Sequence, residues 1–252
     1  MDANLELIAE AIAKKKDRIH IFFRNDDGGW AQERLDNLWH LMLRHGLPMD
    51  VAVIPDALTE QIADRLHGLH QRSTGMLRFH QHGFRHRNHE FSDRKSEFGI
   101  SRTFEQQLTD IDEGRTVLGR WLGNSVDPFF TPPWNRCTDV TISALHTLGF
   151  QVISRITGSD SLVCNQLKPI DVSIDWLKSR KGQRMTWAQF CNYAKSQFEI
   201  GDTIGIMLHH EHMDTPELER FQQFVKLLMA QPNVQFCSMK AIFGCAVQID
   251  SR

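Results

Sequence analysis

The sequence predicts an α/β fold built on a mostly parallel sheet, and three observations carry that expectation. Short apolar strands alternate with amphipathic helices about seven times along the chain. No tract rich in Pro, Gly or Ser interrupts them and no segment repeats another, so residues 1–252 read as one domain. The residues suited to chemistry all follow predicted strands, and a parallel sheet puts such ends on one face. Two architectures fit the pattern: a (β/α) barrel or an open doubly wound sheet.

Residues 3–15 form an amphipathic helix pattern, and "RIHIFF" (18–23) is the first strand. "AQERLDNLWHLMLRHG" is a helix closed by Gly46, and "MDVAVIP" is a strand stopped by Pro55. "ALTEQIADRLHGLH" is helical, "GMLRFHQHG" is a strand, and residues 84–101 are a polar loop. The next helix starts near "TFEQQ", where Thr103 and Gln106 have capping-box spacing, and runs to Gly123. "VDPFFTPPWN" is a short strand ended by Pro132 and Pro133. "TDVTISALHTLG" is a helix, "FQVIS" a strand, and "LKPIDVSIDW" a strand with a loop. "TWAQFCNYAKSQFEI" is a helix and "DTIGIMLHH" a buried-type strand. Pro216 opens the helix "TPELERFQQFVKLLMAQ", before a last strand "VQFCSM" and a last helix "KAIFGCA".

Composition narrows the class of protein. An apolar fraction of 41% and a charged fraction of 24% are ordinary for a water-soluble globular chain. The formal net charge of −2 gives no global attraction to nucleic acid, and the basic residues of "RHRNHEFSDRK" are interspersed with acids. No apolar run approaches a membrane span. Five cysteines without a C-x-x-C pair argue against a disulfide framework and a thiolate zinc site, and they fit a reducing compartment. The N-terminus lacks the order of a secretory signal, so the expected location is the cytoplasm.

Histidine is the outlier. Of 13 in the chain, His80, His82, His86 and His89 lie in one cluster and His209, His210 and His212 in another. His80 and His82 share a face on a strand, whereas His82 and His86 share one if the chain turns helical after Gly83. The other unusual feature is "FFRNDDGGW", where Asp26 and Asp27 stand side by side after an apolar run. Adjacent carboxylates repel. A turn is one explanation. A divalent cation is another, since it offsets the repulsion and keeps both groups ionised. One Asp with two His is a plausible zinc set.

Taken in order, "NDDGG", "HGFRH", "TPPW", "IDW" and "IMLHH" resemble the five motifs of the polysaccharide deacetylases, carbohydrate esterase family 4. The resemblance spans residues 20–212. It implies a distorted (β/α) barrel of about seven parallel strands, TIM-like, and metal-dependent removal of an N- or O-acyl group from a sugar. Carried over by position, Asp27, His82 and His86 hold the metal, most often Zn2+, with Co2+ or Ni2+ as alternatives. Asp26 is the general base and His209 the general acid, although sequence does not settle the choice between His209 and His210, with Asp175 orienting that histidine or tuning its pKa. Pro133, Trp134, Trp176 and His210 are expected to contact substrate, a small carbohydrate or an acylated amine. Gly83 stands where the second motif usually has Ser or Thr. Thr131 stands where the third usually has an arginine, and Arg136 could substitute if its loop folds back. Two other readings remain: a hydrolase of non-sugar amides on the same scaffold, and a catalytically silent metal- or carbohydrate-binding protein.

Overall fold

The computed structural model describes residues 2–160, 162, 167–180 and 182–250, with side chains placed as far as residue 245. Cys164 lies outside the described residues. The strands in chain order are β1 (Ile19–Gly28), β2 (Met49–Val53), β3 (Leu77–His82), β4 (Val126–Thr131), β5 (Val152–Ile153), β6 (Lys168–Pro169), β7 (Ile174–Asp175), β8 (Ser179–Arg180), β9 (Gln183–Arg184), β10 (Thr203–His209) and β11 (Val234–Phe236). The helices are α1 (Ala3–Ala13), α2 (Gln32–Arg44), α3 (Glu60–Arg72), α4 (Phe104–Leu122), α5 (Asp139–Thr147), α6 (Trp187–Ile200), α7 (Thr215–Met229) and α8 (Met239–Asp250). None of the described helices is long and apolar enough to cross a membrane.

The main sheet is parallel throughout, in the order β6-β5-β4-β3-β2-β1-β10-β7, with β11 paired to the start of β1. Its two margins meet in one short stretch. The Ile170 and Val172 N–H groups donate to the Ile153 and Arg155 carbonyls. Immediately afterwards the Ser173 and Trp176 N–H groups donate to the Gly205 and Met207 carbonyls. Residues 168–176 therefore lie along β5 first and along β10 second, and they curl the sheet into a distorted barrel. The open doubly wound alternative is excluded.

Period-two alternation on β1 explains the layering. Ile19, Ile21 and Phe23 face the surrounding helices. Phe22 faces inward and packs with Phe129, Val152, Val172, Met207 and Met239. Gly205 is required here, because a Cβ on it would lie 2.3 Å from the Phe22 ring. Helices α4 and α7 start as the sequence predicts, whereas α3 starts at Glu60 rather than Ala57, with Thr59 as its cap. Thr103 and Gln106 form both halves of the capping box, and Pro216 occupies the first turn of α7.

Two further elements differ from expectation. The first strand was expected to end at Phe23, but β1 continues to Gly28, because β10 supplies ladder partners from His20 to Asp26. The hairpin of β8 and β9, an antiparallel pair two residues long on each side, has no apolar periodicity to reveal it.

Helix α8 closes the amino-terminal end of the barrel through Met239, with Ile242 and Phe243 beside it. Its first N–H donates to Asp50 Oδ2 at 2.9 Å. Asp50 is fully buried, and burial, with Asp127 on β4 nearby, pushes its carboxyl up to about 7. The Met239 N–H and Arg78 on β3 oppose that shift, and Arg78 and Lys240 both pair with Asp127. The folded state thus holds this proton more tightly than the unfolded chain. Asp50 then destabilises the fold progressively as pH rises from about 4 to 7, by a few kcal/mol at most. Asp50→Asn keeps an acceptor for α8 and removes the titration. Its stability relative to wild type is expected to rise between pH 5 and 7.5 in urea denaturation. An equal difference at both pH values would refute the assignment.

Candidate active site

The adjacent carboxylates are separated by a break in β1. The pairing of β1 with β2 shifts register between Asn25 and Gly28, and Asp27 adopts a left-handed φ of 64°. In a regular strand these neighbours would point to opposite faces. The bulge instead directs both to the carboxyl-terminal mouth of the barrel, in different directions. A positive φ on a residue other than glycine costs of the order of 1 kcal/mol, and such strain is characteristic of functional positions.

Asp27 meets the first histidine cluster. Its Oδ1 lies 3.3 Å from His82 Nε2 and 3.4 Å from His86 Nε2. The ligand atoms of the three residues all lie within 4.8 Å of one another. His82 Nδ1 donates to the Thr131 carbonyl at 2.9 Å, which fixes the ring and leaves Nε2 facing the carboxylate. Burial raises the Asp27 carboxyl, but His82, His209 and His86 outweigh it and hold it well below the usual carboxylate range. Burial lowers His86 to about 4, so its imidazole is neutral at pH 7. Asp27 Oδ1 is buried and makes no hydrogen bond among the described residues. An orphaned, charged oxygen between two imidazole nitrogens is costly unless a cation completes it. One carboxylate with two imidazoles fits Zn2+, and Co2+ or Ni2+ nearly as well. His80, by contrast, points deeper. Its Nε2 lies 2.8 Å from Thr131 Oγ1, and burial drops it to about 3.

Asp26 has a different partner, which sequence reasoning missed. Arg24 is fully buried, two residues back on the same face of β1. Its Nε and Nη2 donate to Asp26 Oδ1 and Oδ2 at 2.8 and 2.9 Å, a bidentate pair. Its remaining donors go to Ser154 Oγ at 2.9 Å and Asn135 Oδ1 at 2.7 Å. Burial raises the Asp26 carboxyl, but Arg24, His82 and His209 outweigh it and hold it below its ordinary value. Arg136 donates to the Lys95 carbonyl instead. The guanidinium beside Asp26 therefore comes from β1, immediately before "NDDGG", and not from Arg136. A basic residue two places before an acid on a strand was the available signal.

The second cluster separates by burial. His209 is the direct neighbour of Asp26 across β1 and β10, is partly exposed, and its side chain makes no hydrogen bond among the described residues. His210 is fully buried. Its Nε2 donates to the Trp30 carbonyl at 2.9 Å and its Nδ1 accepts from the Asn25 amide at 2.9 Å. It pins the loop after β1 and offers nothing to a substrate, which corrects its expected role. The Leu177 N–H donates to Asp175 Oδ1 at 3.0 Å, and burial raises the Asp175 carboxyl although His209 nearby opposes that shift.

Trp176 is a second correction. It is buried among Trp187, Phe190, Phe221 and Phe224, and its indole N–H donates to Glu217 at 2.8 Å. Pro133 is also buried, against Gly83, and shapes the floor rather than the opening. Trp134 does reach the mouth, on a left-handed turn, with its ring 4.4 Å from His86. Trp30, which the sequence reading passed over, lies 5.1 Å from His86 on another side and is 37% exposed. Two indoles thus flank His86.

No family sequence model and no curated protein matches this sequence. Solved structures do match. A protein described as a polysaccharide deacetylase from Mycobacterium smegmatis superposes with a TM-score of 0.70 at 14% identity, over 94% of this chain and 93% of its own. A family 4 acetyl xylan esterase from Clostridium thermocellum, in complex with cobalt, gives 0.61 at 14% identity, over 90% and 91%. A family 4 pseudoenzyme from Bacillus anthracis gives 0.59 at 10% identity, over 90% and 66%. The fold is that of the carbohydrate esterase 4 structures.

Proposed function

We propose that this chain is a divergent carbohydrate esterase 4 deacetylase that removes an acetyl group from a sugar or sugar-containing intermediate, using a divalent ion held by Asp27, His82 and His86. The observation that carries this reading is the division of labour at the end of β1: one carboxylate faces two imidazoles, and its neighbour faces a guanidinium and His209. A divalent ion bound to the triad supplies a Lewis acid that acidifies water and polarises an acyl oxygen. Asp26 accepts the proton of the attacking water. Arg24 holds both its oxygens in place, and each keeps a lone pair for that proton. His209 delivers a proton to the departing nitrogen or oxygen from the adjacent strand. Asp175, on the strand next to β10, lies within electrostatic reach of His209. Trp30 and Trp134 present apolar faces on which a sugar ring can stack.

The silent-protein reading has a structural neighbour in the pseudoenzyme. It is disfavoured because the base, the acid and all three candidate ligands are present together in this chain. Purified protein is expected to bind about one zinc per chain and to release acetate from N-acetyl or O-acetyl sugars. Trp30→Ala should raise KM for sugars while leaving hydrolysis of a small aryl acetate unchanged. Zinc-loaded protein that releases acetate from no acetylated sugar, but hydrolyses other amides, would move the assignment to the amide hydrolases. Inactivity on both would favour the silent protein.

A further inference from the structure

The outer ligand, His86, hangs on a short turn that its own backbone does not hold. Gly83 and His86 both have left-handed φ values, 58° and 54°. Among the described residues, no main-chain hydrogen bond closes residues 83–86 on themselves. The turn is instead gripped from outside. Gln81 Nε2 donates to the Gly83 carbonyl at 2.9 Å, and the Asp56 N–H donates to the Phe84 carbonyl at 3.0 Å. The two successive N–H groups of Phe84 and Arg85 converge on one side chain: they donate to Glu97 Oε2 at 3.2 Å and to Glu97 Oε1 at 2.7 Å.

Glu97 is fully buried. A carboxylate there is expensive unless its oxygens are satisfied. Two consecutive backbone N–H groups form a concave anion site, and the protein fills it with its own acid, brought back from the far end of the same loop. Gly83 makes the room. A Cβ on it would lie 2.1 Å from Glu97 Oε2 and 2.6 Å from Pro133 Cγ. The glycine of "HGFRH" and the acid some fourteen residues on are thus two parts of one arrangement.

We infer that Glu97 is a positioning residue for the metal centre: its carboxylate clamps the turn that sets His86 against Asp27. The inference rests on the reading of Asp27, His82 and His86 as metal ligands. Outer groups that orient a ligand typically contribute 10- to 100-fold in metal affinity.

The test compares wild type with Glu97→Ala and the isosteric Glu97→Gln. Zinc affinity is measured by competition with a chromophoric chelator, and the melting midpoint of each metal-free protein is recorded. The visible spectrum of the Co2+-loaded forms reports ligand geometry. Glu97→Ala is expected to weaken zinc binding about 10- to 100-fold and to alter the Co2+ spectrum. Glu97→Gln keeps one acceptor oxygen and is expected to fall between. Should Glu97→Ala fail to fold, Glu97→Gln decides alone. A lower melting midpoint with wild-type zinc affinity and an unchanged Co2+ spectrum makes Glu97 a stability residue only and overturns the inference. Wild-type protein that binds no divalent ion overturns the metal reading itself, and this inference with it.

Discussion

Asp26→Asn is expected to bind zinc as tightly as wild type and to lose about 100- to 10,000-fold in turnover, the usual contribution of a positioned base. The expectation follows from the split at the end of β1. The three candidate ligand atoms belong to Asp27, His82 and His86, and Asp26 is not among them. Asn has the size of Asp but cannot accept the proton. Asp26→Ala is the less informative change, because it strands a fully buried guanidinium whose Nε and Nη2 now have carboxylate acceptors. The measurement is kcat on an acetylated substrate at verified full metal occupancy. Undiminished turnover under that condition would remove Asp26 from the role of base. Loss of zinc with turnover would place it among the ligands instead.

Arg24→Met is the second large expected effect. Arg24 and Asp26 are a buried ion pair, and breaking such a pair from one side typically costs about 3–5 kcal/mol, because the remaining charge is left uncompensated. Ser154 and Asn135 would lose their donor as well. The double variant Arg24→Met/Asp26→Asn removes both charges and is expected to be more stable than Arg24→Met alone. The coupling is read from urea denaturation of the four proteins in a double-mutant cycle. Near-additive effects would mean that the two residues do not act as a unit, and that Asp26 is held by something other than Arg24.

Much of this was legible in the sequence, and particular residues show where legibility ended. The alternation of strands and helices needs only periodicity, so the barrel-forming elements were readable. The motif resemblance singled out Asp27, His82 and His86 as candidate ligands at neighbouring strand ends, and the three do lie together. Arg24, two places before Asp26, was a signal easily passed over, because the apolar run stops at Phe23 and so hides that the two share one strand face. That strand continues only because β10, from the other end of the chain, pairs with it. His209 and His210 are adjacent and chemically identical, and only burial against Asn25 and Trp30 separates them. Trp176 was placed at the mouth because it follows a strand, whereas an aromatic residue there serves a core equally well. Glu97 sits in a polar loop without periodicity, where nothing local marks one acid as buried. Local pattern reveals elements. Which polar groups meet is decided by pairings distant in sequence.

The neighbours of β1 have one more consequence, for the order in which the molecule can be built. The first strand takes β2 on one side, and β10 along most of its length and β11 at its start on the other, so one edge waits for segments synthesised long after it. Until they arrive, β1 has an unsatisfied edge, and Asp26 has no His209 beside it. Pairings of such long sequence separation form slowly, and an exposed edge invites association with other chains. Folding is therefore expected to finish only once the whole barrel has left the ribosome, with amide protection of β1 rising together with that of β10. The Asp26–His209 neighbourhood would then be a late product of folding, absent from any nascent chain that stops short of β10.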